Sequence, residues 1–291
     1  MSVVEVRRAN IVPSGKALGA TVEGIDLASP SDSDVGRIRD ALHAHLVVRL
    51  RAADLDDVAF TRLAERFGTL EGSPDYSRSR NVYVAESPLM TVVSNVSENG
   101  KAVGDHGDGE LNWHTDLGFT DRPSGYTFLL AREVPPSGGN TSFANMYNAY
   151  ERLPEATKTA IARLKLKHQE SHTAQGIPRP GYRDIRTSDP RELPGPQHPI
   201  VRTHPVTGRK CLFVNRGFTK RIEGLRKHES EALLELLIRH CETPEFQCRF
   251  RWEKHSVAFW DNRCAMHRAT FDYYPHLRHG HRVTIKGDRP F

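Results

Sequence analysis

The chain has 291 residues, 37% hydrophobic and 26% charged, with a net charge of +5 and a pI near 9.1. That is enough apolar material for one large domain spanning 1–291. No apolar run approaches the ~20 residues of a membrane span, and the first residues lack the apolar core of a signal peptide. The basic residues are dispersed, with no cluster larger than pairs such as Arg7-Arg8 and Arg209-Lys210, which argues against a nucleic-acid surface and suits a pocket for a small anion. Four single Cys, at 211, 241, 248 and 264, exclude a zinc ribbon or a disulfide framework, so a reducing cytoplasm is the default.

Residues 3–27 alternate apolar residues with Gly and polar residues, as short strands and turns do. Ser31 or Ser33 is positioned to cap a helix carrying Val35, Ile38 and Leu42 on one face. Residues 46–50 are a strand candidate. A second helix follows, capped near Asp54 or Asp56, with Val58, Phe60, Leu63, Ala64 and Phe67 on its apolar face and Gly68 as its stop. Residues 71–90 are polar and irregular, and 91–96 read as a strand. The loop 98–110 is rich in Gly, Asp and Asn; its His106-x-Asp108 reads as solvated loop.

Residues 125–131 form a strand, Pro135 to Asn140 a loop, and Thr141 opens the next strand. The helical period of 145–164 breaks at Leu153-Pro154. Residues 170–198 are Pro-rich and aperiodic, the expected character of a lid or binding loop. A hairpin over 200–214 turns at Pro205 to Gly208. A helix over 226–241 turns Leu233, Leu236, Leu237 and Cys241 inward. Phe246, Cys248, Phe250 and Trp252 alternate with polar residues on a half-buried strand; 257–260 lead to His267, and 281–286 form the last strand. Many short strands with helical cover indicate a mainly β fold built on a jelly roll, a double-stranded β-helix of the cupin kind.

The chemistry centres on Trp113-His114-Thr115-Asp116. On a strand, His114 and Asp116 share a face and can aim one imidazole nitrogen and one carboxylate oxygen at a single point. His267 is the best third donor, since a jelly roll brings distant strands side by side. Two His and one carboxylate with open positions suit Fe(II) better than closed zinc coordination. Arg278 and Arg282, four apart on an extended segment, share a face; two buried Arg beside a divalent metal call for two anions, a cosubstrate and an acidic substrate. A zinc hydrolase or a non-catalytic jelly-roll binding protein are the rival readings.

These segments, with Gly138-Gly139-Asn140-Thr141, Trp260-Asp261-Asn262-Arg263, Gly24-Ile25-Asp26-Leu27, Phe67-Gly68-x-Leu70 and Thr203-His204-Pro205-x-Thr207-Gly208, resemble in order the taurine dioxygenase and 2,4-dichlorophenoxyacetate dioxygenase family of Fe(II)- and 2-oxoglutarate-dependent oxygenases. The resemblance implies His114, Asp116 and His267 as iron ligands, Thr141 and Arg278 on the distal carboxylate of 2-oxoglutarate, and Arg282 on the acid group of the substrate. It implies O2 as the second cosubstrate, with release of succinate and CO2. Related halogenases have a small residue at the position of Asp116, so hydroxylation is expected. The taurine enzyme's sulfonate-binding His has no counterpart in Glu71 to Tyr76, which weakens taurine as substrate and leaves alkyl sulfates, other sulfonates and aryloxyalkanoates. A tailoring oxygenase acting on an amino-acid-derived acid is the alternative within the family. A homo-oligomer is the expected assembly.

Overall fold

The computed structural model describes residues 10–51, 55–72, 83–84, 87–99, 101–102, 104, 112–171, 189 and 191–291. In chain order the elements are β1 (Asn10–Pro13), β2 (Ala20–Glu23), α1 (Asp32–His45), β3 (Val47–Arg51), α2 (Asp57–Glu65), β4 (Leu70–Glu71), β5 (Tyr83–Val84), β6 (Ser87–Ser94), β7 (Ser97–Glu98), β8 (Lys101–Ala102), β9 (Tyr126–Glu133) and β10 (Thr141–Asn145). They continue with α3 (Met146–Glu151), α4 (Glu155–Ile161), β11 (Lys165–His168), β12 (Gln197–Pro199), β13 (Val201–Thr203), β14 (Lys210–Leu212), β15 (Thr219–Ile222), α5 (Lys227–Cys241), β16 (Gln247–Phe250), β17 (Ser256–Asp261), β18 (Ala265–Ala269) and β19 (His279–Ile285). Among the described residues no helix is long and apolar enough to cross a membrane.

The large sheet runs β1-β2-β3-β17-β9-β19-β6-β5, with β4 on β19, and is antiparallel except between β2 and β3. A smaller sheet, β16-β10-β18, faces it. Period-2 alternation on the central strands feeds two cores. From β9 and β17, Phe128, Leu130, Val257 and Phe259 point outward to meet Ile38 and Leu42 of α1 and Phe60 and Leu63 of α2. From the same strands Leu129, Ala131, Ala258 and Trp260 point inward against Phe143, Ala265 and Met266 of the small sheet. The inner layer between the sheets carries the site.

Helix ends follow local chemistry. Ser31 caps α1 in a reciprocal box with Asp34, and Asp56 caps α2 through the Ala59 amide. Two inward assignments from sequence are corrected. Val58 is 47% exposed and Leu236 is 54% exposed. The buried residues of α2 and its C-terminal turn are Phe60, Leu63, Ala64 and Phe67, and those of α5 include Leu234, Leu237, Ile238 and Cys241. Both sets follow i, i+3, i+4, i+7 spacing. Val58 and Leu236 lie two positions from the first member of each set, about 200° around the helix and on the far side.

Within the stretch 71–90 that reads as irregular in sequence, β6 begins at Ser87, and Ser97–Glu98 pairs with Lys101–Ala102 as the β7–β8 hairpin. His106 and Asp108 lie outside the described residues, as do 172–188 and Pro190 of the Pro-rich segment.

Candidate metal centre

His114 and Asp116 do not sit on a continuous strand, which corrects the sequence reading of why they converge. His114 forms an isolated antiparallel bridge with His267 of β18, each backbone N–H donating to the other's carbonyl at 3.0 and 2.9 Å. The chain then turns sharply. Gly118 N–H donates to the Thr115 carbonyl and Leu117 takes φ +52°, and this turn delivers Asp116 beside the two rings.

The three side chains are buried, at 5, 6 and 6% exposure for His114, Asp116 and His267, and one donor atom of each lies within 4.8 Å of the others. The His114 Nδ1 is 2.8 Å from the Asn112 carbonyl, which fixes the proton there and leaves Nε2 to offer a lone pair. His267 Nε2 is 3.8 Å from Asp116 Oδ1. The buried Nδ1 of His267 has no hydrogen-bond partner among the described residues; its ring is held by packing between Trp260 and Phe143, with centroids at 4.8 and 5.8 Å. Burial and the neighbouring His114 push the His267 pKa down to about 3 against the pull of Asp116, so the ring is neutral. Burial opposes ionisation of Asp116, yet the Arg282 guanidinium beside it and the Thr127 hydroxyl that donates to it favour the ionised form, and the carboxyl is held below its ordinary value. Two imidazoles and one carboxylate are a donor set that fits a divalent metal.

Thr141 and Arg278 lie along the same layer. Trp252 Nε1–H donates to Thr141 Oγ1 at 3.0 Å, and the Arg278 guanidinium lies 5.6 Å from the centre of the Trp252 ring. Because the indole N–H occupies a lone pair of Thr141, the hydroxyl proton is left to donate elsewhere. Arg278 is 8% exposed and has no carboxylate partner among the described residues. Asn95 grips its backbone from both sides, accepting from Arg278 N–H at 2.7 Å and donating to its carbonyl at 3.1 Å. With Val93, Leu129, Ala131 and Gly280, Arg278 and Trp252 line one cleft. The Gly138-Gly139 pair makes room for this arrangement. Both have positive φ, and a Cβ on Gly139 would meet Pro135 at 2.9 Å and the Arg278 side chain at 3.3 Å.

Arg282 lies on the same inward face of β19 as Gly280, while Val283 and Ile285 enter the outer core. A bulge interrupts the β19–β9 pairing between His279 and Gly280, but β19 pairs with β6 without a break, so Arg278 and Arg282 keep a common face. The Arg282 guanidinium is 3.7 Å from Asp116 Oδ1, closer to the metal ligands than its sequence position suggested. The Phe218 ring stands edge-on to His114 at 6.0 Å and packs on Phe119 at 5.1 Å.

Sequence reasoning missed several participants: Trp252, Thr127, Asn262, Asn95 and Phe218. All but Phe218 lie in or beside segments with a pattern of their own, yet none shows its role locally.

A second group of donors, His204, Asp261 and Cys264, is also buried and close. The donor atoms of His204 and Asp261 are already engaged. His204 Nδ1 accepts from the Val206 and Thr207 amides, its Nε2 donates to Asp261 at 2.9 Å, and Asp261 receives Arg263 at 2.8 and 2.7 Å. That is an ion-pair network bracing the turn after β17, not a metal cradle.

Residues 10–284 match the family model for taurine catabolism dioxygenase TauD, TfdA family. The chain belongs to this family. It is 32% identical over 281 residues to an α-ketoglutarate-dependent sulfonate dioxygenase of Saccharomyces cerevisiae, covering 94% of this chain and 66% of that one. It is 31% identical over 291 residues to an α-ketoglutarate-dependent sulfate ester dioxygenase of Pseudomonas putida, covering 97% and 90%. Some relatives are longer, and the chain spans 45% of one from Schizosaccharomyces pombe. Among solved structures, a taurine dioxygenase from Burkholderia xenovorans superposes with a TM-score of 0.79 at 31% identity, over 97% of this chain and 90% of that one. AAD-2 in complex with Mn(II) and N-oxalylglycine superposes with a TM-score of 0.78 at 27% identity, over 97% and 99%. The jelly-roll core expected from sequence is the shared fold of these proteins.

Proposed function

We propose that the chain is a single-domain Fe(II)- and 2-oxoglutarate-dependent dioxygenase, an oxidoreductase that hydroxylates a small anionic substrate: an alkyl sulfate, a sulfonate or an aryloxyalkanoate. The observation that carries this reading is the convergence of two imidazoles and one carboxylate between the sheets, with the Arg282 guanidinium 3.7 Å from that carboxylate. His114, Asp116 and His267 hold the metal. With Fe(II), 2-oxoglutarate and O2 bound, the centre supplies the oxidising equivalent for hydroxylation, and 2-oxoglutarate leaves as succinate and CO2.

The rest is positioning by this chain. Arg278 and the hydroxyl of Thr141 bind the distal carboxylate of 2-oxoglutarate, and the apolar cleft walls exclude water from it. Arg282 binds the acid group of the substrate. Since its guanidinium is 3.7 Å from Asp116, an anion held there has its oxidised carbon only a few bonds away. That geometry favours short acids, with any apolar tail resting on Phe218 and Phe119. A zinc hydrolase would need a carboxylate base placed for water and would have no use for the Thr141–Arg278 pair. The protein would work as a cytoplasmic homo-oligomer; exposed Phe271, Tyr274 and Leu277 next to Arg278 are consistent with a covered surface.

The test is a screen of small sulfonates, sulfate esters and aryloxy acids for succinate formation with Fe(II), 2-oxoglutarate and O2. One of these acids should stimulate succinate release, and His267→Ala should abolish it. Absence of 2-oxoglutarate turnover with every acid, together with no metal binding, would refute the reading.

A further inference from the structure

A carboxylate can give a metal one oxygen or two, and a facial site needs its remaining positions kept open. Around Asp116 the structure has a chain of hydrogen bonds whose direction is forced. Trp260 Nε1–H and the Asp116 backbone N–H both donate to Asn262 Oδ1, each at 3.1 Å. Neither donor can accept, so the orientation of the Asn262 amide is set and its Nδ2 faces Thr127. Asn262 Nδ2 donates to Thr127 Oγ1 at 2.8 Å. The single proton of Thr127 is then left for Asp116 Oδ2, 2.6 Å away. Every member is buried: Trp260 2%, Asn262 0%, Thr127 0% and Asp116 6% exposed.

We propose that Thr127, aimed by Asn262 and Trp260, is a positioning residue that withholds Oδ2 and makes Asp116 a one-oxygen ligand. Oδ1 is the oxygen left toward His267 and Arg282, at 3.8 and 3.7 Å. The placement comes from alternation. Thr127 lies on β9 between Tyr126 and Phe128, which enter the outer core, so the hydroxyl takes the inner face. Pairing of Trp260 with Thr127 across β17 and β9 brings the two ends of the chain of bonds together. The tryptophan and asparagine of Trp260-Asp261-Asn262-Arg263 thereby acquire a task distinct from the Asp261–Arg263 ion pair in the same segment.

The inference rests on Asp116 being a metal ligand, and the test separates the two. Mn(II) affinity would be followed by electron paramagnetic resonance, and 2-oxoglutarate affinity by calorimetry on the Mn(II)-loaded protein, for the parent, His267→Ala, Thr127→Val, Thr127→Ser and Asn262→Ser. The parent should bind Mn(II) and His267→Ala should not; if the parent fails to bind, the metal-site reading itself falls. Thr127→Val keeps the shape and removes the proton. It should weaken Mn(II) by about 10-fold or more, as loss of a partner behind a ligand does, or retain Mn(II) and lose 2-oxoglutarate by a similar factor because Oδ2 is released. Thr127→Ser restores the hydroxyl and should restore both affinities. Asn262→Ser leaves Thr127 in place without its director and should shift the affinities in the same direction, more weakly, which gives a second reading should Thr127→Val fold poorly. Unchanged affinities in both Thr127→Val and Asn262→Ser, or a loss in Thr127→Ser as large as in Thr127→Val, would overturn the proposal.

Discussion

Among the residues of the site, charge and neutral hydrogen bonding divide the work unequally. Arg278→Ala removes a buried charged donor from an apolar cleft and should weaken 2-oxoglutarate by on the order of 2–5 kcal/mol. Thr141→Ala removes one neutral hydroxyl and should cost about 1 kcal/mol. Trp252→Phe deletes the indole N–H that orients this hydroxyl, and is expected to match Thr141→Ala in size and not to add fully to it. Calorimetry of 2-oxoglutarate on Mn(II)-loaded protein measures all three. Equal losses in Arg278→Ala and Thr141→Ala would contradict the assignment. The same division decides what a reader of the sequence can see. His114, Asp116, His267, Arg278 and Arg282 stand out because they are metal- and anion-binding residue types set in segments that resemble a known family in order. Thr127, Asn262 and Trp252 are ordinary residue types. Their roles depend on which strand lies opposite, and no local period encodes cross-strand register.

For the elements, periodicity located the helices and the longer strands but not short strands such as β11, β12 and β15, and within α5 it erred in phase. In α5 both Leu236 and Leu237 read as inward, but the structure buries Leu237 fully and leaves Leu236 54% exposed. Leu237→Ala should therefore destabilise by about 2–5 kcal/mol, and Leu236→Ala by no more than roughly 0.5 kcal/mol. Urea unfolding of the two variants checks this; comparable losses would mean that the helix is rotated from the described orientation. The Pro-rich segment 170–198 shows the opposite limit. Composition marked it as a loop, yet its two flanking strands are pinned to the turn that follows Asp116. His168 at the end of β11 is 2.8 Å through Nδ1 from the Gly118 carbonyl, and His198 in β12 is 3.0 Å through Nε2 from the Thr120 carbonyl. A buried His making such a contact looks, in sequence, like any other His.

The same two imidazoles set a property of the whole molecule. Burial, reinforced by His198, lowers the His168 pKa to about 3; burial, with help from Arg202 and against the Thr120 carbonyl, lowers that of His198 to about 4. Their ordinary value is 6.5. Below pH 6.5 the unfolded chain takes up protons that the folded chain refuses. The stability these groups contribute is thus complete above that pH and is lost as the pH falls toward 4. Each should contribute a slope of about 1.4 kcal/mol per pH unit in that window. Urea midpoints measured from about pH 8 down to about pH 5 should be flat at first and then fall, and His198→Gln should reduce the slope. A midpoint independent of pH across this range would contradict the burial of both rings.

The bridge between His114 and His267 has a consequence for how the protein holds itself shut. Two backbone hydrogen bonds join residues far apart in the chain, and the side chains of the same two residues converge on one point. An ion bound there closes a long loop of polypeptide, as a buckle closes a strap. It should raise resistance to unfolding by RT ln(1 + [M]/Kd), about 2.7 kcal/mol when the ion is at 100 times its Kd. The amide protons of His114 and His267 report this directly, because neither can meet solvent while the strap is fastened. Mn(II) should slow their exchange with deuterium far more than it slows that of amides in α1, which packs on the outer face of the sheet.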